Sequence, residues 1–424
     1  YFSNTIEYNN EELSGNHIVN NARALIVFGY FFNSDNHFNL GKGLLSHMLP
    51  KLIYDKLFLR ESSSHYQYLF TSWIFEIYIF SSEKNDSKLK LMLEHYLSNL
   101  INGCLFFKTG KDDEYVLIGD ISPDKNPKWL ENITSIFLTW SKKQNINKFD
   151  TGWASVMTKI FDLNKYKFNF SHQQFDDFCF YEEAGYLKVR KFKWLIFQHI
   201  EKNTNFNMAS HAHHDFTSVT IYYDNKEILI DTGRLDYTDT IEGKYGKSVN
   251  SHNTIAVDGH PASLSKSDTH IPKAFKERKF DIKFRSRKKF FEMNLIHNGF
   301  MRVNKKINKH KRTILIENMS ISISDSIYGE GRIKFNSYFH FPEHLKINDK
   351  VKNSSEDFFV NFTYNTKNKY LNSKLMLKEF SGSSDPFFGW RFKKYGEKIP
   401  AKTKVLYGNF QIPNKFNYKL TIKR

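Results

Sequence analysis

The chain has 424 residues, more than one hydrophobic core organises, and its 40% hydrophobic and 17% aromatic content, with 41 Phe and 23 Tyr, excludes a disordered chain despite a mean hydropathy of -0.55. Its 62 Lys and Arg against 45 Asp and Glu give a formal net charge of +17 and a pI near 9.4, which favours a polyanionic partner without choosing which one. Only Cys104 and Cys179 occur, without CxxC spacing, which excludes a disulfide framework, and no uninterrupted apolar run of about 18 residues marks a membrane span.

Taken in chain order, residues 14–33 read as an amphipathic helix. Ile18, Ala22, Leu25, Gly29 and Phe32 recur at helical spacing behind Ser14 as a candidate cap, and the opposite stripe holds Asn16, Asn20 and Arg23. Helical patterns follow at 40–58, 64–81, 88–106, 127–142 and 150–163, so the first ~165 residues are expected to be all-α. The character changes near Phe168. From Tyr186 onward short β-rich runs dominate, among them Ser218–Tyr223, Ile228–Ile230, Thr254–Val257, Thr313–Ile316 and Ser320–Ile323. Turn signals at Asp224-Asn225, Asp258-Gly259 and Tyr328-Gly329-Glu330-Gly331 suit an antiparallel sheet built from hairpins. The expectation is an α+β multidomain chain, helical over 1–167 and antiparallel β over 168–424.

The most specific segment is His211-Ala212-His213-His214-Asp215, followed by Ile230-Asp231-Thr232-Gly233 and Ser251-His252-Asn253-Thr254. In an extended strand, residues i and i+2 face the same side, so His211 and His213 are expected to share a cleft while His214 turns away. His213, Asp231 and His252 offer nitrogen, oxygen and nitrogen donors, a set that suits a divalent metal such as zinc. A hydrolytic centre would add an open water and a carboxylate base, for which Asp215 is the candidate.

The order H-x-H-x-D, then D-x-G, then H-N-T ahead of Val257-Asp258-Gly259 resembles the heparinase II/III C-terminal signature. Lys311-Arg312-Thr313, Ile323-Ser324-Asp325 and Phe339-His340-Phe341-Pro342 resemble strands that follow it there, with a scaffold role. In the helical part, Gly15-Asn16-His17 through Leu25, and Glu61-Ser62-Ser63-Ser64-His65-Tyr66, resemble that family's toroid segments, so the likeness runs from about residue 14 to about 345. Two departures stand out. Fewer helices precede the Asn-His pair than is usual in the family, which implies an incomplete toroid or a missing natural N-terminus, and His65 lies before Tyr66 rather than after it.

The resemblance implies an incomplete (α/α) toroid followed by an antiparallel β-sandwich, and a polysaccharide lyase that cleaves an acidic, uronate-containing glycan by β-elimination. Such a reaction needs a neutralised carboxylate, a base and an acid. Asn16, helped by His17, is expected to bind the carboxylate and stabilise the developing enolate. Tyr66 and His211 form the acid/base pair, in an order set by the face on which proton and leaving group lie, and Tyr237 is a second candidate hydroxyl. The metal held by His213, Asp231 and His252, zinc by its donors, is given a structural role. No zinc finger, RNA-recognition signature or basic heptad region accompanies the charge, so no nucleic-acid partner is expected. The alternative is a non-catalytic glycan-binding or capsule-biogenesis protein on the same fold. A periplasmic or secreted location follows from where such enzymes meet their substrates.

Overall fold

Apolar residues at three- and four-residue spacing build seven helices among the described residues of the N-terminal part: α1 His17–Phe31, α2 Asp35–Leu52, α3 Ser64–Glu83, α4 Ser87–Phe107, α5 Pro127–Leu130, α6 Ile133–Ser141 and α7 Gly152–Ile160. The computed structural model describes residues 6–8, 10–11, 14–110, 113–166, 170–200, 211–264, 279–348, 359–367 and 375–423. The chain divides into two units, Tyr1–Phe175 with Asn205–Ala212, and Asp176–Thr204 with His213–Arg424. Residues 167–169, where the sequence reading puts its boundary, lie outside those described.

Within the first unit α3 is buried on nearly every side, from Ser64 to Ser81, as a central helix must be. Ser63 caps it by accepting a hydrogen bond from the Tyr66 amide, and Asp86 caps α4 in the same way at Leu89. The buried stripe of α4, Leu89, Leu93, Leu97, Leu100 and Cys104, keeps strict helical period. Gly41 lets α2 approach α1, because a β-carbon there would lie 2.7 Å from the Ala22 carbonyl oxygen.

Two helix expectations need correction. The 40–58 helix stops at Leu52, and Ile53–Tyr54 pairs with Phe58–Leu59 as a small hairpin. Asp55 and Lys56 at its turn have φ of 49° and 63°, values that break a helix and suit a tight hairpin. The 127–142 pattern is two helices, α5 and α6, divided at Glu131 and Asn132.

Among the described residues the second unit contains three main sheets. A five-stranded meander runs in chain order through Phe178–Tyr181, Tyr186–Lys191, Trp194–His199, Val219–Tyr223 and Lys226–Leu229. A seven-stranded sheet is ordered Phe280–Ser286, Phe291–His297, Ile307–Glu317, Ser320–Gly329, Asn414–Lys423, Phe359–Lys367, Ile347–Asn348. Another five-stranded sheet is ordered Met376–Ser381, Lys402–Gln411, Arg332–Phe341, Ile255–Val257, His260–Pro261. Strands such as Asn414–Lys423 alternate buried and exposed residues, the mark of a sheet with one wet face. The inward residues of all three sheets join one core, where Phe335 stacks on Phe416 at 3.7 Å between ring centroids. Among the described residues the expected all-antiparallel pairing has one exception, Ile347–Asn348, which pairs parallel to Val360 and Asn361.

The edge strand Phe280–Ser286 and the turn after it expose Lys283, Arg285, Arg287, Lys288 and Lys289. Both cysteines are free. Among the described residues no helix is long and apolar enough to cross a membrane.

Candidate active site and metal centre

In the helical unit, the segment before α3 and the N-terminus of α1 are tied by buried charges. The Arg60 guanidinium donates to the carbonyl oxygens of Glu11 and Ser14 at 3.0 and 2.8 Å. Next to it, Glu61 Oε1 accepts the Asn16 backbone N–H at 2.8 Å. Asn16 is 2% exposed, and its side chain does not cap α1; its Nδ2 is buried without a hydrogen-bond partner. A buried amide donor with no partner is costly unless something it can bind arrives. His17 turns outward instead, with its side chain 65% exposed and its Nδ1 2.7 Å from Glu7.

Tyr66 lies in the first turn of α3, and its ring stacks on the His211 imidazole, centroids 3.6 Å apart and planes within 14°. His211 Nδ1 is 3.0 Å from Asp120 Oδ2, and His211 Nε2 is 4.0 Å from Glu61 Oε2. A carboxylate on Nδ1 fixes the neutral ring with its proton there and its lone pair on Nε2. The backbone holds Asp120 in place twice: its amide donates to the His211 carbonyl at 3.1 Å, and its own carbonyl accepts from Ser63 Oγ at 2.8 Å. Ser64 extends the stitching, since its Oγ donates to the Val116 carbonyl and accepts from the Ile118 amide. Asn16, Glu61, Tyr66, Asp120 and His211 thus form one connected set within this unit. Asp120 follows a lone glycine in a loop and carries no motif of its own; Glu61 stands at the head of a recognisable segment but draws no attention as a carboxylate. His65 is a core residue, with Nδ1 2.8 Å from the Tyr115 hydroxyl, and burial pushes its imidazole down to about 3.

In the β unit, ligand atoms of His213, Asp231 and His252 all lie within 4.8 Å of one another. His213 and His252 are buried, and their rings are 5.3 Å apart. Asp231 Oδ2 is 2.7 Å from His252 Nδ1, while its Oδ1 accepts the Gly233 amide at 2.9 Å. Burial alone would lower the His252 pKa, but the adjoining Asp231 carboxylate outweighs it and raises it. Asp231 Oδ2 and His252 Nδ1 are thus an oxygen and a nitrogen donor near enough to share one cation. The donor set and its spacing fit a divalent metal.

His211 to His213 is irregular backbone rather than strand, and the two histidines fall in different units, so the alternation argument that paired them does not apply. Asp215 is no open base. Both its oxygens lie 3.0 Å from His199 Nδ1, and although burial opposes ionisation, the neighbouring histidines hold the carboxyl at about 2. Tyr237 is 40% exposed, with the Arg234 guanidinium 4.7 Å from its ring centroid and the Tyr395 ring 5.3 Å away.

A family model described as heparinase II/III-like, C-terminal, matches residues 176–416. Among solved structures, a mutant of the heparan sulfate lyase HepC from Pedobacter heparinus aligns with a TM-score of 0.65 at 14% identity, over 100% of this chain and 61% of that one. A heparinase III aligns at 0.65 and 13%, over 96% and 61%. The chondroitin AC lyase of Streptomyces coelicolor, in complex with chondroitin sulphate, aligns at 0.53 and 7%, over 98% and 61%. These similarities show a shared fold, a helical (α/α) domain followed by an antiparallel β-sandwich, and the chain spans about three fifths of those proteins' length. No curated protein matches the sequence.

Proposed function

The chain belongs to the heparinase II/III-like family, and from that premise we propose that it is a polysaccharide lyase cleaving an acidic, uronate-containing glycan by β-elimination. The observation that carries the proposal is the His211 imidazole, stacked on Tyr66 and bound through Nδ1 to Asp120 in the unit that also holds the unpaired Asn16 amide.

Elimination removes the proton beside the uronate carboxylate, places charge on that carboxylate as an enolate, and expels the 4-linked sugar, whose oxygen needs a proton. Asn16 Nδ2 donates to the carboxylate, an interaction that strengthens as charge develops. His211 Nε2 takes the proton. The imidazolium so formed faces the carboxylates of Asp120 and Glu61, which stabilise its charge. The Tyr66 hydroxyl supplies the proton to the leaving oxygen, because a phenol with a reference pKa of about 10 is a ready donor and a reluctant base. In the β unit, His213, Asp231 and His252 would hold a divalent cation, zinc by their chemistry, acting as a structural clasp between three loop segments. The +17 chain charge supports attraction of a polyanionic substrate.

The test is ultraviolet absorbance during incubation with a panel of heparan-, chondroitin- and alginate-type polysaccharides, since elimination leaves a conjugated unsaturated uronate and hydrolysis does not. Product should form with at least one substrate, and His211→Ala and Tyr66→Phe should each lower turnover by roughly 10²–10⁴-fold while remaining folded. A substrate whose leaving group needs no proton should rescue Tyr66→Phe and leave His211→Ala inactive. Saturable binding without product across the panel would favour a catalytically idle glycan-binding protein.

A further inference from the structure

Arg312 and Asp325 belong to segments that the sequence assigns to the sandwich scaffold, yet both are buried polar residues among the inward positions of their strands, 1% and 0% exposed. Their neighbours on the same faces, Ile314, Ile316, Ile321 and Ile323, are apolar core residues. A buried ion pair is a poor substitute for apolar packing, so one in a sandwich core calls for another reason.

The hydrogen bonds of Arg312 supply one. Nε and Nη2 donate to Asp325 Oδ1 and Oδ2 at 2.8 and 2.9 Å, which fixes the guanidinium plane. Nη1 donates to two main-chain carbonyls, Thr217 at 2.8 Å and Asn253 at 2.9 Å. Thr217 ends the segment that carries His213, and Asn253 directly follows His252. The same two segments meet again where Thr217 Oγ1 lies 2.9 Å from Thr254 Oγ1.

Asn253 continues the linkage. Its Nδ2 donates to the carbonyls of Val219 at 2.8 Å and Ile230 at 2.7 Å, and Ile230 immediately precedes Asp231. Its Oδ1 accepts the His340 amide at 2.7 Å, and its own amide donates to Ser218 Oγ at 2.9 Å. All three segments bearing His213, Asp231 and His252 are therefore joined through two side chains. Thr217 adds an independent sign of constraint, because this β-branched residue is held at φ 70°, a conformation it adopts only when its surroundings impose it.

We propose that Arg312, braced by Asp325, and Asn253 are positioning residues of the His213, Asp231 and His252 centre, setting the separation of its ligand atoms, rather than scaffold contacts of the sandwich. The proposal rests on the metal reading of that centre.

It is tested by titrating Co²⁺ alone into the metal-free protein and recording both the dissociation constant and the visible d–d spectrum. The variants are Arg312→Lys, Asn253→Asp, and the volume-filling pair Arg312→Met with Asp325→Leu, which keeps a packed core if the single changes unfold. Phe335→Leu, a core truncation at a side chain that makes none of these hydrogen bonds, is the control for general destabilisation. The linkage variants should weaken Co²⁺ binding by roughly 10–100-fold and alter the spectrum, while Phe335→Leu leaves both unchanged. Folded linkage variants with wild-type affinity and spectrum overturn the positioning role alone. Wild-type protein that takes up no Co²⁺ overturns the metal reading, and the proposal with it.

Discussion

Gly119 shows how little room the His211 environment leaves. Its φ is +73°, and a β-carbon there would come within 2.4 Å of the Ser62 carbonyl oxygen and 2.7 Å of the His211 carbonyl oxygen. Gly119→Ala should therefore cost about 1–3 kcal/mol in a urea titration and lower turnover beyond what that loss explains, because relief of the clash moves the histidine backbone. Unchanged turnover in the folded variant would show that His211 does not need this backbone register. His213, Asp231 and His252 could be read from the sequence because ligand-type residues clustered at the ends of β-rich runs. Asp120 and Arg312 could not, since a buried charge acquires meaning only from its partner, and those partners lie 91 and 13 residues away.

At the scale of elements, the Phe335 and Phe416 stack joins strands of two different sheets, Arg332–Phe341 and Asn414–Lys423. Phe335→Ala should destabilise the β unit by about 3–5 kcal/mol, because it leaves a cavity as well as removing buried area. Chemical denaturation followed by far-ultraviolet circular dichroism measures it, and a loss below about 1 kcal/mol would mean the core collapses around the gap. Helices α1, α3 and α4 were legible because each sustains its period over several turns. The hairpin at 53–59 was not, since an apolar stretch of Leu52, Ile53, Tyr54, Leu57, Phe58 and Leu59 satisfies helix and strand alike and only the turn at Asp55 and Lys56 decides. The turn at Asp224-Asn225 was found for the converse reason: both residues tolerate positive φ, and both adopt it, at 52° and 63°.

For the molecule as a whole, each unit buries a histidine in neutral form. Burial pushes both His65 and His340 down to about 3. The unfolded chain binds these protons with a pKa of about 6.5, so the unfolded state gains protons first as pH falls, and stability is lost from about 6.5 downward. At pH 5 each histidine should cost about 2 kcal/mol, and the thermal midpoint should drop between pH 7 and pH 5. A midpoint that stays level over that interval would mean both rings protonate without disturbing the fold. The exposed cations of the Phe280–Ser286 edge and its turn bear on a different property, the behaviour of the protein at high concentration. Among the described residues this strand has a sheet neighbour on one side only, so its other side offers backbone groups to a further strand, and Lys283, Arg285, Arg287, Lys288 and Lys289 make two copies approaching edge to edge repel each other. That repulsion is screened beyond about 10 Å at 0.1 M salt, so light scattering should find the protein least self-associated in dilute buffer and progressively stickier as salt is added, the reverse of a protein whose copies attract through opposite charges.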